Sequence, residues 1–215
     1  MYTCASCTLL ACCKPGTPDR PKNCPMHNAE LNAEIFDKYG DPENRTLSQQ
    51  SAAVEGAGYG RWPRMREIME LARRMGYTRL GMAFCAGLRK EAKIIEGILR
   101  DNGFEVVSII CKTGGHSKET VGIAEEDKLS PGKFEAMCNP IAQAELLNEQ
   151  QTHFNFTVGL CVGHDSLFYK HSEAPVTTLI TKDRKLGHNP AAALYCPYIR
   201  SDLGSPLIER PMESI

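Results

Sequence analysis

From Trp62 onward the apolar positions follow two alternating rhythms. A repeat of three to four residues puts Met65, Ile68, Met69, Ala72 and Met75 on one helical face, opened by Pro63 and closed by Gly76. A continuous apolar run over Arg79 to Phe84 then predicts a buried strand ending at Cys85. The pair recurs as a helix around Lys90 to Asp101, with Ala92, Ile95, Ile98 and Leu99 inward, and a strand from Phe104 to Ile110 ending at Cys111. A long irregular insertion follows. Cys138-Asn139-Pro140 starts a helix through Leu147, Phe154 to Leu160 predicts a strand ending at Cys161, and Pro175 to Thr181 predicts another. Asn189-Pro190 opens a short final helix, and the last dozen residues form an irregular tail.

Strands that alternate with helices and are almost continuously apolar must be covered on both faces. Residues 28–215 therefore predict a three-layer, Rossmann-like α/β domain with a mostly parallel sheet of four or five strands. Residues 1–27 show no periodicity and are rich in Cys, Pro and Lys, which predicts a metal-binding loop without a core of its own. Asn28 caps a helix to Tyr39, with Leu31, Ile35, Phe36 and Tyr39 on one face and Gly40 as its stop. Residues 41–60 read as a partly helical connector. Their Gly56, Gly58 and Gly60 follow no strand and make no phosphate loop.

Composition narrows the function. The 215 residues carry 25 Lys+Arg against 26 Asp+Glu, a formal charge of −1, which excludes nucleic-acid binding by bulk charge. No run reaches the roughly 18 apolar residues of a membrane span. Ten cysteines are the unusual count, and Cys4, Cys7, Cys12, Cys13 and Cys24 crowd into the first 24 residues. The N-terminus lacks the basic region and apolar stretch of a signal peptide, so the expected compartment is the reducing cytoplasm, where clustered cysteines hold metal or do redox chemistry.

Cys4-x2-Cys7-x4-Cys12 followed by Cys24-Pro25 has metal-ligand spacing. Soft thiolates select zinc or iron–sulfur clusters. The irregular spacing, the final Cys-Pro and the missing second Cys-x2-Cys knuckle of a zinc ribbon favour a cluster, with zinc as the alternative. Cys13 is a spare that could replace Cys12. Cys85, Cys111 and Cys161 each end a predicted strand, the edge where open α/β sheets bind ligands, and Cys138 precedes a helix start that stabilises a thiolate. These four are candidate ligands of a second cluster; the plain alternative is that they pack as small hydrophobes. Cys196 reads as structural. His164 follows Cys161 by three residues, with Asp165 able to cap the next helix, and His116 follows the Cys111 strand end; either could supply a proton. His188, before the final helix, is a weaker candidate. There is no Ser-His-Asp order, HExxH or P-loop.

The strings Cys4-x2-Cys7-x4-Cys12…Asn23-Cys24-Pro25, Cys138-Asn139-Pro140-Ile141-Ala142-Gln143-Ala144-Glu145 and Cys161-Val162-Gly163-His164-Asp165-Ser166 extend over most of the chain. In them the sequence resembles the cysteine-rich metal-binding proteins of anaerobic bacteria and archaea that carry a domain of unknown function. The resemblance implies Cys4, Cys7, Cys12 and Cys24 as N-terminal ligands and a role for Cys138 and Cys161. The expectation is a cytoplasmic iron–sulfur protein with one or two clusters, of [4Fe-4S] type. It would act in electron transfer, or as a reductase or sulfur-transfer enzyme, with a redox partner or small-molecule substrate. The rival is a zinc protein whose α/β domain binds a metabolite or a partner.

Overall fold

The computed structural model describes residues 1–16 and 19–204. The chain divides into two compact units, Met1–Gly60 and Arg61–Ile215. The irregular tail expected at the C-terminus lies almost wholly outside the described residues.

The second unit is an α/β domain. Its elements are α3 (Arg64–Met75), β1 (Arg79–Phe84), α4 (Arg89–Asp101), β2 (Glu105–Ile110), α5 (Pro140–Glu149), β3 (Phe154–Val158), α6 (His164–His171), β4 (Val176–Ile180), α7 (Ala192–Tyr195) and α8 (Pro197–Leu203). The four strands form one all-parallel sheet in the order β2-β1-β3-β4. The chain steps from β1 outward to β2, then returns across β1 to β3 and β4. Right-handed crossovers then put α4 on one face and α5 and α6 on the other. The reversal falls between β1 and β3, the place where such sheets bind ligands at the carboxyl ends of their strands.

The core follows the apolar rhythm: Ile68, Met69 and Ala72 of α3 and Ala92, Ile95 and Leu99 of α4 are buried together with Leu80, Met82, Phe154, Phe156 and Val158. Gly76 ends α3 at φ 73°, as its sequence position predicts. Two details differ. β3 stops at Val158 instead of Leu160, because Gly159 turns the chain at φ 64° while its N–H still bonds Ile180 O, and a Cβ there would meet Leu88 at 2.9 Å. Asp165 is no cap: α6 begins one residue earlier, at His164 after Gly163, and Asp165 accepts from Ser166 N–H inside the first turn.

A polar seam crosses the core beneath α5. Asn155, fully buried on β3, accepts from Thr152 Oγ1 at 2.7 Å and donates to Ser172 Oγ at 2.8 Å. The insertion before α5 is pinned by ion pairs: Lys128 is buried and paired to Glu119 and Glu125, and Lys118 meets Glu135 at 2.6 Å.

The first unit carries α1 (Ala29–Asp37), capped by Asn28 Oδ1 as expected, and α2 (Pro42–Gly58). The stretch read as a connector is thus a continuous 17-residue helix, with Asp41 capping Asn44 N–H and Pro42 in the first turn.

Gly81 on β1 leaves room for this seam. A Cβ there would lie 1.9 Å from Asn155 Oδ1 and 2.9 Å from Leu147 Cδ1. Gly81→Ala should lower unfolding stability by about 1–3 kcal/mol in urea denaturation, because both neighbours are fixed core groups.

Candidate metal and thiol centres

In the first unit, three single turns of 3₁₀ helix, Cys4–Ser6, Ala11–Cys13 and Pro25–His27, shape a short loop. Cys7 N–H bonds Cys4 O at 3.0 Å, so the two-residue spacing closes as one turn. Leu10 then reverses the chain at φ 45°, a conformation costing a non-glycine residue on the order of 1 kcal/mol. Asn23 donates to Thr3 Oγ1 and ties the Cys24 limb to the Cys4 limb. The result is a hollow of about 370 Å³ lined by Cys4, Cys7, Cys12 and Cys24, with Leu9, Leu10, Pro21, Pro25 and Met26 as apolar wall. Cys13 does not line it. No carboxylate or imidazole contributes to the lining; besides the sulfurs its polar side chains are the neutral Thr3, Ser6, Thr8 and Asn23.

In the second unit, backbone hydrogen bonds bring the other cysteines together. The ladder runs one residue past the strands: Cys111 N–H bonds Phe84 O at 2.9 Å, and Cys85 N–H bonds Val158 O at 3.1 Å. Asn139 N–H then bonds Cys111 O at 2.8 Å, and Asn139 Oδ1 caps α5 at Ala142 N–H, which fixes Cys138 beside Cys111. Buried Gln143 secures that helix by donating to Phe84 O and Ile109 O. Cys161 follows the Gly159 turn, and its carbonyl accepts the N–H groups of His164 and Asp165.

Cys111 sits between Cys85 and Cys138, in hydrogen-bonding contact with both. Its proton is shared with two thiolates, so its pKa is driven far above the ordinary thiol range, first by Cys138, then by Cys85 and by burial. The other two move the opposite way. Cys85 falls to about 4, held by the Cys111 S–H, Gly87 N–H and Lys182 against the penalty of burial. Cys138 falls to about 5, held by Cys111, by Lys112, whose Nζ lies 3.4 Å from its sulfur, and by the charge of His164. Arg184 lies 3.4 Å from Cys161 Sγ.

Cys85, Cys111, Cys138 and Cys161 therefore gather with His164 at one sheet edge. His116 stays exposed, its ring over Gly114 beside the Asn139 amide. His188 is a loop clamp: its Nδ1 accepts Asp183 N–H at 3.1 Å. Cys196 caps the start of α8 through its backbone. Sequence reasoning missed Lys112, Lys182 and Arg184, although the strand-end rule that selects Cys111 applies equally to the residues following β2 and β4. All ten cysteines are free thiols. Among the described residues, no three His, Cys, Asp or Glu side chains converge as they would around a single metal ion. No helix among them is long and apolar enough to cross a membrane.

A family model described as "Protein of unknown function (DUF1847)" matches residues 24–179, a span holding all four sheet-edge cysteines and Cys24. "Uncharacterized protein MJ0455" of Methanocaldococcus jannaschii is 46% identical over 169 residues, 79% of this chain and 86% of that protein. No solved structure matches.

The thiolate at Cys138 has a direct chemical signature. In metal-free protein, iodoacetamide labelling of this half-buried residue should persist well below the ordinary thiol value of 9.0 and fall as pH drops through about 5. Peptide mass mapping reads this site by site. Lys112→Met should shift the fall to higher pH, and an unchanged midpoint would remove Lys112 from the account.

Proposed function

The chain belongs to the DUF1847 family, and on that premise we propose that it is an iron–sulfur protein with two thiolate centres. The N-terminal hollow holds one cluster through Cys4, Cys7, Cys12 and Cys24. The sheet edge holds a second through Cys85, Cys111, Cys138 and Cys161, and is where a small-molecule substrate meets the protein.

The observation that carries this proposal is the four-thiol lining of the N-terminal hollow. A single zinc ion draws its ligands to one point at Zn–S distances of about 2.3 Å, whereas a multi-atom cluster keeps its four sulfurs apart. A four-thiol hollow of about 370 Å³ has room for the larger object. At the sheet edge, Cys85 and Cys138 are already ionised ligands, and Lys112, Lys182 and Arg184 offset the negative charge that a thiolate-bound cluster carries. The cluster supplies one-electron redox chemistry when bound. The chain's own groups do the rest: His164 sits beside Cys138 with a side chain able to pass a proton on, and the cations orient what approaches. Free thiols throughout accord with a reducing cytoplasm.

Iron, zinc and acid-labile sulfide per chain, measured on anaerobically purified protein with its visible spectrum, test the proposal. About eight iron and eight sulfide are expected for two [4Fe-4S] clusters. Cys12→Ala should remove about half of the iron and Cys13→Ala none, as should be read by the same metal analysis. About one zinc without sulfide would sink the proposal and leave a structural zinc site on an α/β domain.

A further inference from the structure

Every sulfur at the sheet edge is met by a donor held in place. Ala86 N–H donates to Cys111 Sγ at 3.3 Å. Lys112 Nζ lies 3.4 Å from Cys138 Sγ and is anchored by Ala136 O at 2.5 Å, and Arg184 Nη2 lies 3.4 Å from Cys161 Sγ. Cys85 takes Gly87 N–H and Lys182. Lys182 Nζ and Cys85 Sγ close on the same glycine, 3.5 Å and 3.8 Å from where a Cβ of Gly87 would stand. The loop after β4 holds two of these cations. Asp183 turns inward, its Oδ1 accepting Lys185 N–H at 3.0 Å and Leu186 N–H at 2.9 Å and its N–H bonding His188 Nδ1 at 3.1 Å, while Lys182 and Arg184 on either side turn to sulfur. Among the described residues, none of the three cations is ion-paired with a carboxylate.

The N-terminal hollow is the opposite case. No lysine, arginine or histidine lines it, and of its neutral polar side chains Ser6 donates to Thr3 O and Asn23 to Thr3 Oγ1. Arg20 and Lys22 stand outside the lining: Arg20 Nη1 donates to Met26 O at 3.2 Å, and Lys22 lines a separate hollow where Cys24 is the only cysteine. Adding an electron to a thiolate-bound cluster deepens its negative charge, so cations and N–H groups at the sulfurs favour the reduced form and raise its potential. Water at exposed Cys4 and Cys12 acts in the same direction. Cys85 and Cys111 are buried, however, and a charge in contact acts about fourfold more strongly at the effective dielectric of a protein site than in water. Three such charges at the edge outweigh solvent at the hollow.

We propose that Lys112, Lys182 and Arg184 make the sheet-edge centre the higher in potential of the two, so that it is the first to take an electron and the N-terminal centre the last. This rests on the proposed function, whose two centres it ranks. The electron comes from an external one-electron donor, and no bond forms or breaks. An electron delivered to the chain therefore settles at the strand ends, and Asp183 and His188 are positioning residues for the cations that hold it there.

The test is a reductive titration of the full chain, purified anaerobically, with dithionite through mediator dyes, followed by visible absorbance and by electron paramagnetic resonance, with iron and sulfide counted separately. Two waves are expected. Cys12→Ala should delete the lower one and keep the higher. Lys112→Met, Lys182→Met and Arg184→Gln each remove a charge that favours the reduced form. Each should lower the higher wave by about a tenfold change in the oxidised-to-reduced ratio, about 59 mV for one electron, with the lower wave unmoved. Arg184→Lys keeps the charge, should leave the wave near its wild-type position, and serves with the two lysine variants if the glutamine variant loses iron or fails to fold. Full iron and sulfide with the higher wave lost in Cys12→Ala, with both waves unmoved by the three charge-removing variants, or with one common wave overturns this inference and leaves the iron–sulfur proposal standing. Iron that Cys12→Ala removes entirely, or zinc without sulfide, overturns both.

Discussion

The centre at the sheet edge depends on strand register. Phe84 pairs with both Ile110 and Val158 across the parallel ladder, so the residues that follow are level, and Cys85 and Cys111 continue the same hydrogen-bond pattern. A slip of one residue would send every side chain of a strand to the opposite face. The packing that buries β1 and β3 on both faces therefore also aligns the thiols. Asn139 and Gln143 extend the alignment to Cys138 by hanging α5 from the last carbonyls of β1 and β2 and from Cys111 itself.

The two cysteine groups are handled by different physics. At the sheet edge, burial alone would keep every thiol protonated, and ionisation is recovered through a neighbouring S–H, backbone N–H groups and lysines. In the first unit, the hollow has sulfur and apolar wall, with no charged side chain in its lining. One site is arranged before any ligand arrives. The other has four sulfurs around a hollow and a chain reversal at Leu10 between Cys7 and Cys12.

Much of this was legible in the sequence, and the failures share a cause. β1, β2, α3 and α4 fall within a residue of their predicted bounds, because their apolar periods are long and end at Gly76 or Gly103. The strand-end cysteines were legible for the same reason. β3 overran because Leu160 continues the apolar run while the left-handed turn at Gly159 is invisible to periodicity. α2 was underestimated because Gly56 and Gly58 argue against helix, although the Asp41 and Pro42 start signal was present. Lys182 and Arg184 were missed because residues 181–189 have no period, and the strand-end rule that reaches them names a place in the sheet without saying which side chains face the sulfurs.

If the edge takes a metal centre as proposed, the shared proton of Cys111 sets the acid released. Three isolated thiols would each discharge a proton on taking a metal centre, and loading would be strongly favoured by alkaline conditions. Here Cys85 and Cys138 have already surrendered theirs at neutral pH, so among these three only the Cys111 proton has still to leave. The stoichiometry of proton release on such an assembly would be correspondingly small, and it would fall on the one proton that the edge holds most tightly.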